Sequence, residues 1–343
     1  MVIGTVAHMS RLQQLQHAGR FLRHRFNALH PYEVQAVLLN ACNLRCAYCR
    51  CPEMKTSLLT TEQWLATVRR LGELGTLRLK WQGGEPTIRK DFAELCAAVQ
   101  AAGILCAVVT NGTQIAERPE LLAHVDEVVF SLDSLTPTHT ERVRGAGVHA
   151  AVMRSIDVAR AARRPPRLFI NMVAMRDNLD EMEPMLAFCE QHDIGLNIQP
   201  AVFGMQYYDD AAQPLALDDG QTRAMYRQLA AWKRAGRRLM FAAHIYERSA
   251  GWDDYRTLSR RNPDAADCAM GRFYVHVEAN GDVHPCVQHH ATFAPKNIAR
   301  DGLDAALANA QRHDCTECFG AYLNERKDLF TLQPRAVLEY LRR

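Results

Sequence analysis

Residues 34–49, Val34-Gln35-Ala36-Val37-Leu38-Leu39-Asn40-Ala41-Cys42-Asn43-Leu44-Arg45-Cys46-Ala47-Tyr48-Cys49, run an apolar stretch straight into three cysteines spaced by three and two residues. The stretch 34–41 reads as a buried strand, so the thiols fall in the loop at its carboxyl end. The same strand signal returns at 77–81, 105–110, 127–132, 167–174 and 195–202, with amphipathic stretches between that read as helices. One of these starts at Thr60-Thr61-Glu62-Gln63, a run of helix-capping residues, and the last closes at Gly236 behind Lys233 and Arg234. Strands alternating with helices call for a parallel α/β sheet. Six units predict a partial (β/α)6, TIM-like barrel over residues 34–236, an open sheet with the same spacing being the other solution.

After residue 236 the rhythm breaks into short strands and loops. Residues 273–278 and 283–287 flank Ala279-Asn280-Gly281-Asp282, which predicts a hairpin. Residues 237–343 are expected to form a small second domain ending in a helix over 334–343. In front, residues 1–33 hold an amphipathic helix candidate over 10–30, with apolar Leu12, Leu15, Phe21, Leu22, Phe26 and Leu29 and basic Arg11, Arg20, Arg23 and Arg25. Packing against the barrel is its expected role; contact with an anionic membrane is the alternative and is not assigned.

Composition narrows the function. A hydrophobic share of 48% and a charged share of 23% describe a soluble globular chain of 343 residues. The formal net charge of +3, without long basic runs, points to no nucleic-acid partner. There is no apolar run of about 18 residues and no secretory head at residues 1–10, so a cytoplasmic protein is expected. In that reducing compartment the eleven cysteines are not a disulfide framework. Cys96, Cys106 and Cys189 lie singly in apolar patterns and read as core. Seven others fall into two groups: Cys42, Cys46 and Cys49, then Cys268, Cys286, Cys315 and Cys318.

Three thiolates bind three irons of a 4Fe-4S cluster and leave the fourth iron open, whereas a structural zinc wants four ligands. With Tyr48 just before its last cysteine, the first group resembles the signature of the radical S-adenosylmethionine superfamily. The resemblance covers about residues 34–322. It implies that the open iron chelates the amino and carboxylate groups of S-adenosylmethionine. One electron from the cluster then yields a 5'-deoxyadenosyl radical, which takes hydrogen from a substrate. An electron donor such as flavodoxin or ferredoxin is implied as well. Cys51, two residues beyond Cys49, is assigned no role and reads as a buried thiol.

Further rim residues follow from the same likeness. Gly83-Gly84-Glu85-Pro86, after the second strand, resembles the family's glycine-glycine-glutamate element, in which glycines permit close approach and a carboxylate accepts from an ammonium. Asn111 ends the third strand, and Ser131 and Asp133 end the fourth. The resemblance puts Ser131 or Asp133 near the ribose and methionine. Arg144 best matches the arginine that pairs with the methionine carboxylate, with Arg142 as the competing residue. Asn171, Asn197 and Gln199 are polar residues in apolar strands, expected either to face adenosine or substrate or to bond within the sheet.

The spacing of Cys268, Gly281 and Cys286, closed by Cys315-Thr316-Glu317-Cys318, resembles a shortened, twitch-like form of the SPASM extension. It implies one auxiliary 4Fe-4S cluster on four thiolates. Zinc on the same cysteines is the alternative. His284, His289 and His290 crowd around Cys286 and read as replacement ligands, substrate contacts or plain loop residues.

The leading functional expectation is hydrogen abstraction from a small natural-product precursor, a sugar, cyclitol or nucleoside, leading to oxidation, epimerisation or bond formation. Modification of a ribosomally made peptide is the alternative. Against it, the 33 residues before the first strand are too few for a winged leader-binding domain. A non-catalytic iron-sulfur or zinc protein is the third reading, opposed by the Gly83-Gly84-Glu85 rim. No cobalamin domain is seen ahead of the barrel, so cobalamin-dependent methyl transfer is not expected.

Overall fold

The computed structural model describes residues 31–202, 206–262, 268–289 and 292–336. The helix expected over 10–30, His290, and all but the first three residues of the helix expected over 334–343 lie outside these.

Six strands lie side by side in chain order, all parallel: β1 (Glu33–Val37), β2 (Arg78–Gln82), β3 (Leu105–Thr110), β4 (Glu127–Ser131), β5 (Arg167–Ala174) and β6 (Gly195–Pro200). Their crossovers are α1 (Thr61–Glu73), α2 (Phe92–Ala101), the pair α3 (Pro137–Arg144) and α4 (Val148–Ala161), and α5 (Met182–Gln191), with α6 (Asp219–Arg234) after β6. The capping residues ahead of α1 form a full capping box, in which Thr60 Oγ1 accepts from Gln63 N and Gln63 Oε1 accepts from Thr60 N. One crossover departs from the sequence reading. Between β3 and β4 there is only a short 3-10 turn, Pro119–Leu122. Gly112, held at a φ of +74°, and Pro119, which has no N–H, bracket that segment and leave no run long enough for a stable helix.

Alternate residues of each strand face opposite ways. Outward-facing Trp81 meets Trp64 of α1 edge to face, with ring centres 5.2 Å apart. Leu79 and Phe130 are wholly buried on that side, each contributing about 1.5–3 kcal/mol. Inward-facing Val37, Lys80, Val109, Val129, Asn171 and Asn197, one from each of β1 to β6, line a single cavity of about 370 Å³. A flat sheet could not bring all six to one space, so the sheet wraps as the partial barrel requires. Among the described residues it does not close, its edges being β6 and β10.

The rest of the chain supplies α7 (Ala243–Ala250), β7 (Ser259–Arg261), β8 (Tyr274–Val277), β9 (Asp282–His284), β10 (Lys296–Asn297), α8 (Leu303–Ala310), β11 (Cys315–Cys318) and α9 (Ala321–Phe330). The predicted hairpin is β8–β9, turning at Gly281 with a φ of +90°. β8 lies parallel to β1, with Glu33 opposite Tyr274, and so extends the main sheet to the order β10-β9-β8-β1-β2-β3-β4-β5-β6. Beneath the cavity runs a buried ionic seam. Arg78 pairs with Glu33 and, at 2.7 Å, with Glu127, while Arg326 of α9 lies 3.2 Å from the other oxygen of Glu33. No described helix is long and apolar enough to cross a membrane.

Candidate active site

The cysteine loop is rooted by backbone contacts that only glycine permits. β1 ends at Val37, four residues earlier than expected, because the next residues bond to the end of β2 and the loop after it. Leu38 N donates to Gln82 O at 2.8 Å, Gly84 N to Leu39 O at 2.8 Å, and Glu85 N to Ala41 O at 2.9 Å. A Cβ on Gly83 would stand 2.2 Å from Leu39 O, and one on Gly84 2.1 Å from Ala41 O. Glu85 itself is sealed underneath. Its oxygens accept from Thr87 Oγ1 at 2.6 Å, Thr110 Oγ1 at 2.9 Å and Asn111 N at 2.7 Å, and it does not line the cavity. Burial pushes its carboxyl up against the pull of these donors. Sequence reasoning expected this carboxylate to meet an ammonium; here it ties the β2 and β3 loops together.

Cys42, Cys46 and Cys49 are half-buried, free, and all line the cavity. The loop is fastened to α3 by Ala47 N, which donates to Val143 O at 2.8 Å. Asn111 Nδ2 lies 3.7 Å from Cys42 Sγ and donates to Asn43 Oδ1 at 2.8 Å. Burial pushes all three thiols up, Cys46 to about 11, with Arg144 pulling that one back. Three soft donors facing one space suit three corners of an iron-sulfur cluster, and ligation must drive off their protons. Cys51 is buried beside them and also lines the cavity, its Sγ 3.9 Å from Asn40 Oδ1.

Asp133 and Arg144, expected separately on the rim, are brought together. Arg144 donates through Nε at 2.8 Å and Nη2 at 2.9 Å to the two oxygens of Asp133, and both side chains are buried. Tyr48 joins them, its hydroxyl accepting from Arg144 at 2.6 Å and standing 3.2 Å from Asp133. Val173 N adds a bond to Asp133 at 3.0 Å. The competing Arg142 is exposed and pairs with Asp177 away from the cavity. Ser131, Asn171, Asn197 and Gln199 all line the cavity, and Asn197 Nδ2 donates to Asn171 Oδ1 at 2.5 Å.

Sequence reasoning missed the loop after β6. Tyr208 bridges to Cys49 and lies 6.0 Å from the Tyr48 ring, and Arg50 N donates to Tyr207 O at 3.2 Å. Tyr207 donates to buried Glu278, which His276 Nε2 also meets at 2.8 Å. The only signal available was a pair of tyrosines just past the last strand.

Among the described residues Cys268, Cys286, Cys315 and Cys318 form no disulfide. Cys286 follows β9, and β11 carries Cys315 and Cys318 against β7. Three residues apart on a regular strand they would face opposite ways, but a register irregularity at Cys315/Glu317 lets both be buried. Cys315 hydrogen-bonds to Cys268, which with burial pushes its thiol up, and burial does the same to Cys318. His313 fixes this stretch by accepting from Cys315 N at 3.1 Å. Among the described residues no three His, Cys, Asp or Glu side chains converge as they would on a single metal ion. A 4Fe-4S cluster asks instead for one thiolate at each of four irons, and four soft thiols are the donors it takes. His284 is buried, its ring 6.1 Å from that of Phe293. The cavity reaches this region too, since Gln288, Phe319 and Tyr322 line it.

A family model described as the Radical SAM superfamily matches residues 37–189. The chain is 29% identical over 280 residues to the PqqA peptide cyclase of Streptomyces rochei, covering 78% of this chain and 72% of that one. It is 32% identical over 165 residues to the PqqA peptide cyclase of Rhizobium meliloti strain 1021, covering 46% and 44%. Among solved structures, Streptococcus suis SuiB bound to the precursor peptide SuiA shares the fold with a TM-score of 0.61, at 15% identity, over 89% of this chain and 71% of that one.

Proposed function

We propose that this chain is a radical SAM superfamily enzyme that modifies a peptide, with Cys42, Cys46 and Cys49 holding the 4Fe-4S cluster that engages S-adenosylmethionine and Cys268, Cys286, Cys315 and Cys318 holding a second cluster. The observation that carries the peptide reading is the likeness to a peptide cyclase over 78% of the chain. It supports a peptide better than the sugar, cyclitol or nucleoside that the sequence alone put first.

When bound, cluster and S-adenosylmethionine supply a 5'-deoxyadenosyl radical able to take a hydrogen atom. The chain's own part is to bind, orient and exclude water. The Gly83-Gly84 backbone and the Tyr207-Tyr208 loop brace the cysteine loop from two sides. The Asp133–Arg144 pair holds Tyr48 beside Cys46 and Cys49. A cavity of about 370 Å³ admits a side chain or two of a peptide, whose backbone would find donors and acceptors in Asn171, Asn197 and Gln199. Tyr207, Tyr208, Tyr274 and Tyr322 wall it, shielding a carbon radical from side reactions.

The test is anaerobic reconstitution followed by incubation with S-adenosylmethionine, a reductant and side-chain-deuterated peptides encoded beside the gene. Deuterium in 5'-deoxyadenosine and a peptide lighter by two hydrogens are expected. Deuterium arriving from a labelled sugar or nucleoside, with every peptide unchanged, would overturn the reading.

A further inference from the structure

Lys80 stands on the cavity side of β2, nearly buried, two residues below Gln82. Its Nζ lies 3.2 Å from Tyr322 Oη and 4.2 Å from the centre of that ring. The phenol is no counter-charge: it donates to Glu33 and also accepts from Arg78 at 3.3 Å. Every neighbouring carboxylate is held by another cation. Glu33 takes Arg78 on one oxygen and Arg326 on the other, while Glu127 takes Arg78 at 2.7 Å and Arg167 at 3.3 Å. Among the described residues no acidic side chain forms an ion pair with Lys80. An ammonium has three donors, and the phenol engages one, so two remain for whatever enters the cavity.

We propose that Lys80 is the anchor for a substrate carboxylate, so that the peptide acted on presents an acidic side chain or its own C-terminal carboxylate to the cavity. The carrier of that carboxylate rests on the peptide reading; the carboxylate itself rests on Lys80 and its seam. The entering anion supplies the counter-charge that Glu33 and Glu127 give to the arginines. Burial, then Arg78 and Arg326, push the Lys80 ammonium down to about 7 against the pull of Glu33 and Glu127. The groups facing it are Glu33 from β1, Arg78 from β2, Glu127 from β4, and Tyr322 and Arg326 from α9, with Tyr274 of β8 set against the Tyr322 ring. A carboxylate arriving above pH 7 must therefore bring a proton onto Lys80, and binding weakens as that proton becomes scarce.

Calorimetric titration of the reconstituted chain, with S-adenosylmethionine present, tests this with three probes. N-acetyl-glutamate N-methylamide offers a side-chain carboxylate, N-acetyl-alanine a main-chain carboxylate, and N-acetyl-glutamine N-methylamide a neutral isostere. One carboxylate is expected to bind and the amide is not, and which carboxylate binds identifies the source. Above about pH 7 affinity should fall about tenfold per pH unit, with proton uptake seen as a buffer-dependent heat. Lys80→Met should abolish binding, and Lys80→Arg should retain it within about tenfold, both variants melting cooperatively. Binding of the amide as tightly as the carboxylates, binding indifferent to Lys80→Met, or no binding by either carboxylate overturns the proposal. Peptide modification is scored separately. Carboxylate binding at Lys80 without any modified peptide keeps the anchor and removes the peptide; modification indifferent to acidic groups and to Lys80→Met does the reverse.

Discussion

Asp133 and Arg144 illustrate what a single residue cannot reveal in one dimension. Eleven positions apart, each looks available to a ligand, yet in the fold they satisfy one another inside the rim. Asp133→Asn leaves a buried guanidinium without its counter-charge and should cost about 3–5 kcal/mol in urea unfolding; a loss below 1 kcal/mol, within the range of a surface pair, would contradict the burial argument. Lys80 makes a prediction of opposite character. Its native ammonium sits near 7 against an ordinary 10.5. Between those values the unfolded chain binds a proton that the native chain does not, so this site adds to stability as pH rises, by up to ~1.4 kcal/mol per unit. Below about pH 7 both states are protonated and the native state carries the unfavourable buried charge. The stability that Lys80→Met gains over the parent should therefore be largest below pH 7 and shrink towards pH 9. Unfolding curves whose difference stays flat across that window would show that Lys80 keeps its ordinary titration.

At the scale of elements, the strands and the hairpin were legible because their signals are local: apolar runs of period two, capping residues, and an Asn-Gly turn. The glycines were legible as glycines but only in part of their role. Gly83 and Gly84 were expected to bring backbone towards a ligand; both line the cavity, and in addition the chain there passes against the root of the cysteine loop. Gly281 has a parallel role, with a φ of +90° and a Cβ position 2.9 Å from Leu59 Cδ2, at the turn of the hairpin that leads to Cys286. Two alanine substitutions should separate the two loops. Gly84→Ala is expected to lower iron at the first site, while Gly281→Ala, destabilising by ~1 kcal/mol or more, lowers it at the second. Iron content and cluster spectra of the two variants after identical reconstitution check this. Equal losses at both sites in both variants would mean that the loops are not independently braced.

On the whole-molecule scale the feature hidden from the sequence is that both parts of the chain build one cavity. Lys80, Asn171 and Asn197 come from the six-strand unit, and Tyr274, Gln288 and Tyr322 from the segment beyond residue 236. β8 reaches β1 across some two hundred and forty residues, Glu33 opposite Tyr274, and no local pattern announces a pairing of that range. This joint construction couples the second cysteine group to the substrate space: Cys286 and Cys318 adjoin Val287 and Phe319, which line it. With both clusters present the reconstituted chain should carry about eight irons, and Cys318→Ala about four. A chain that instead carries about one zinc, lost in Cys318→Ala, would assign the second group to zinc. In either case the cavity wall loses its anchor. Cys318→Ala should therefore weaken peptide binding while leaving the first site's iron in place, and a variant that lost its second metal yet bound peptide as tightly as the parent would show that the two are uncoupled.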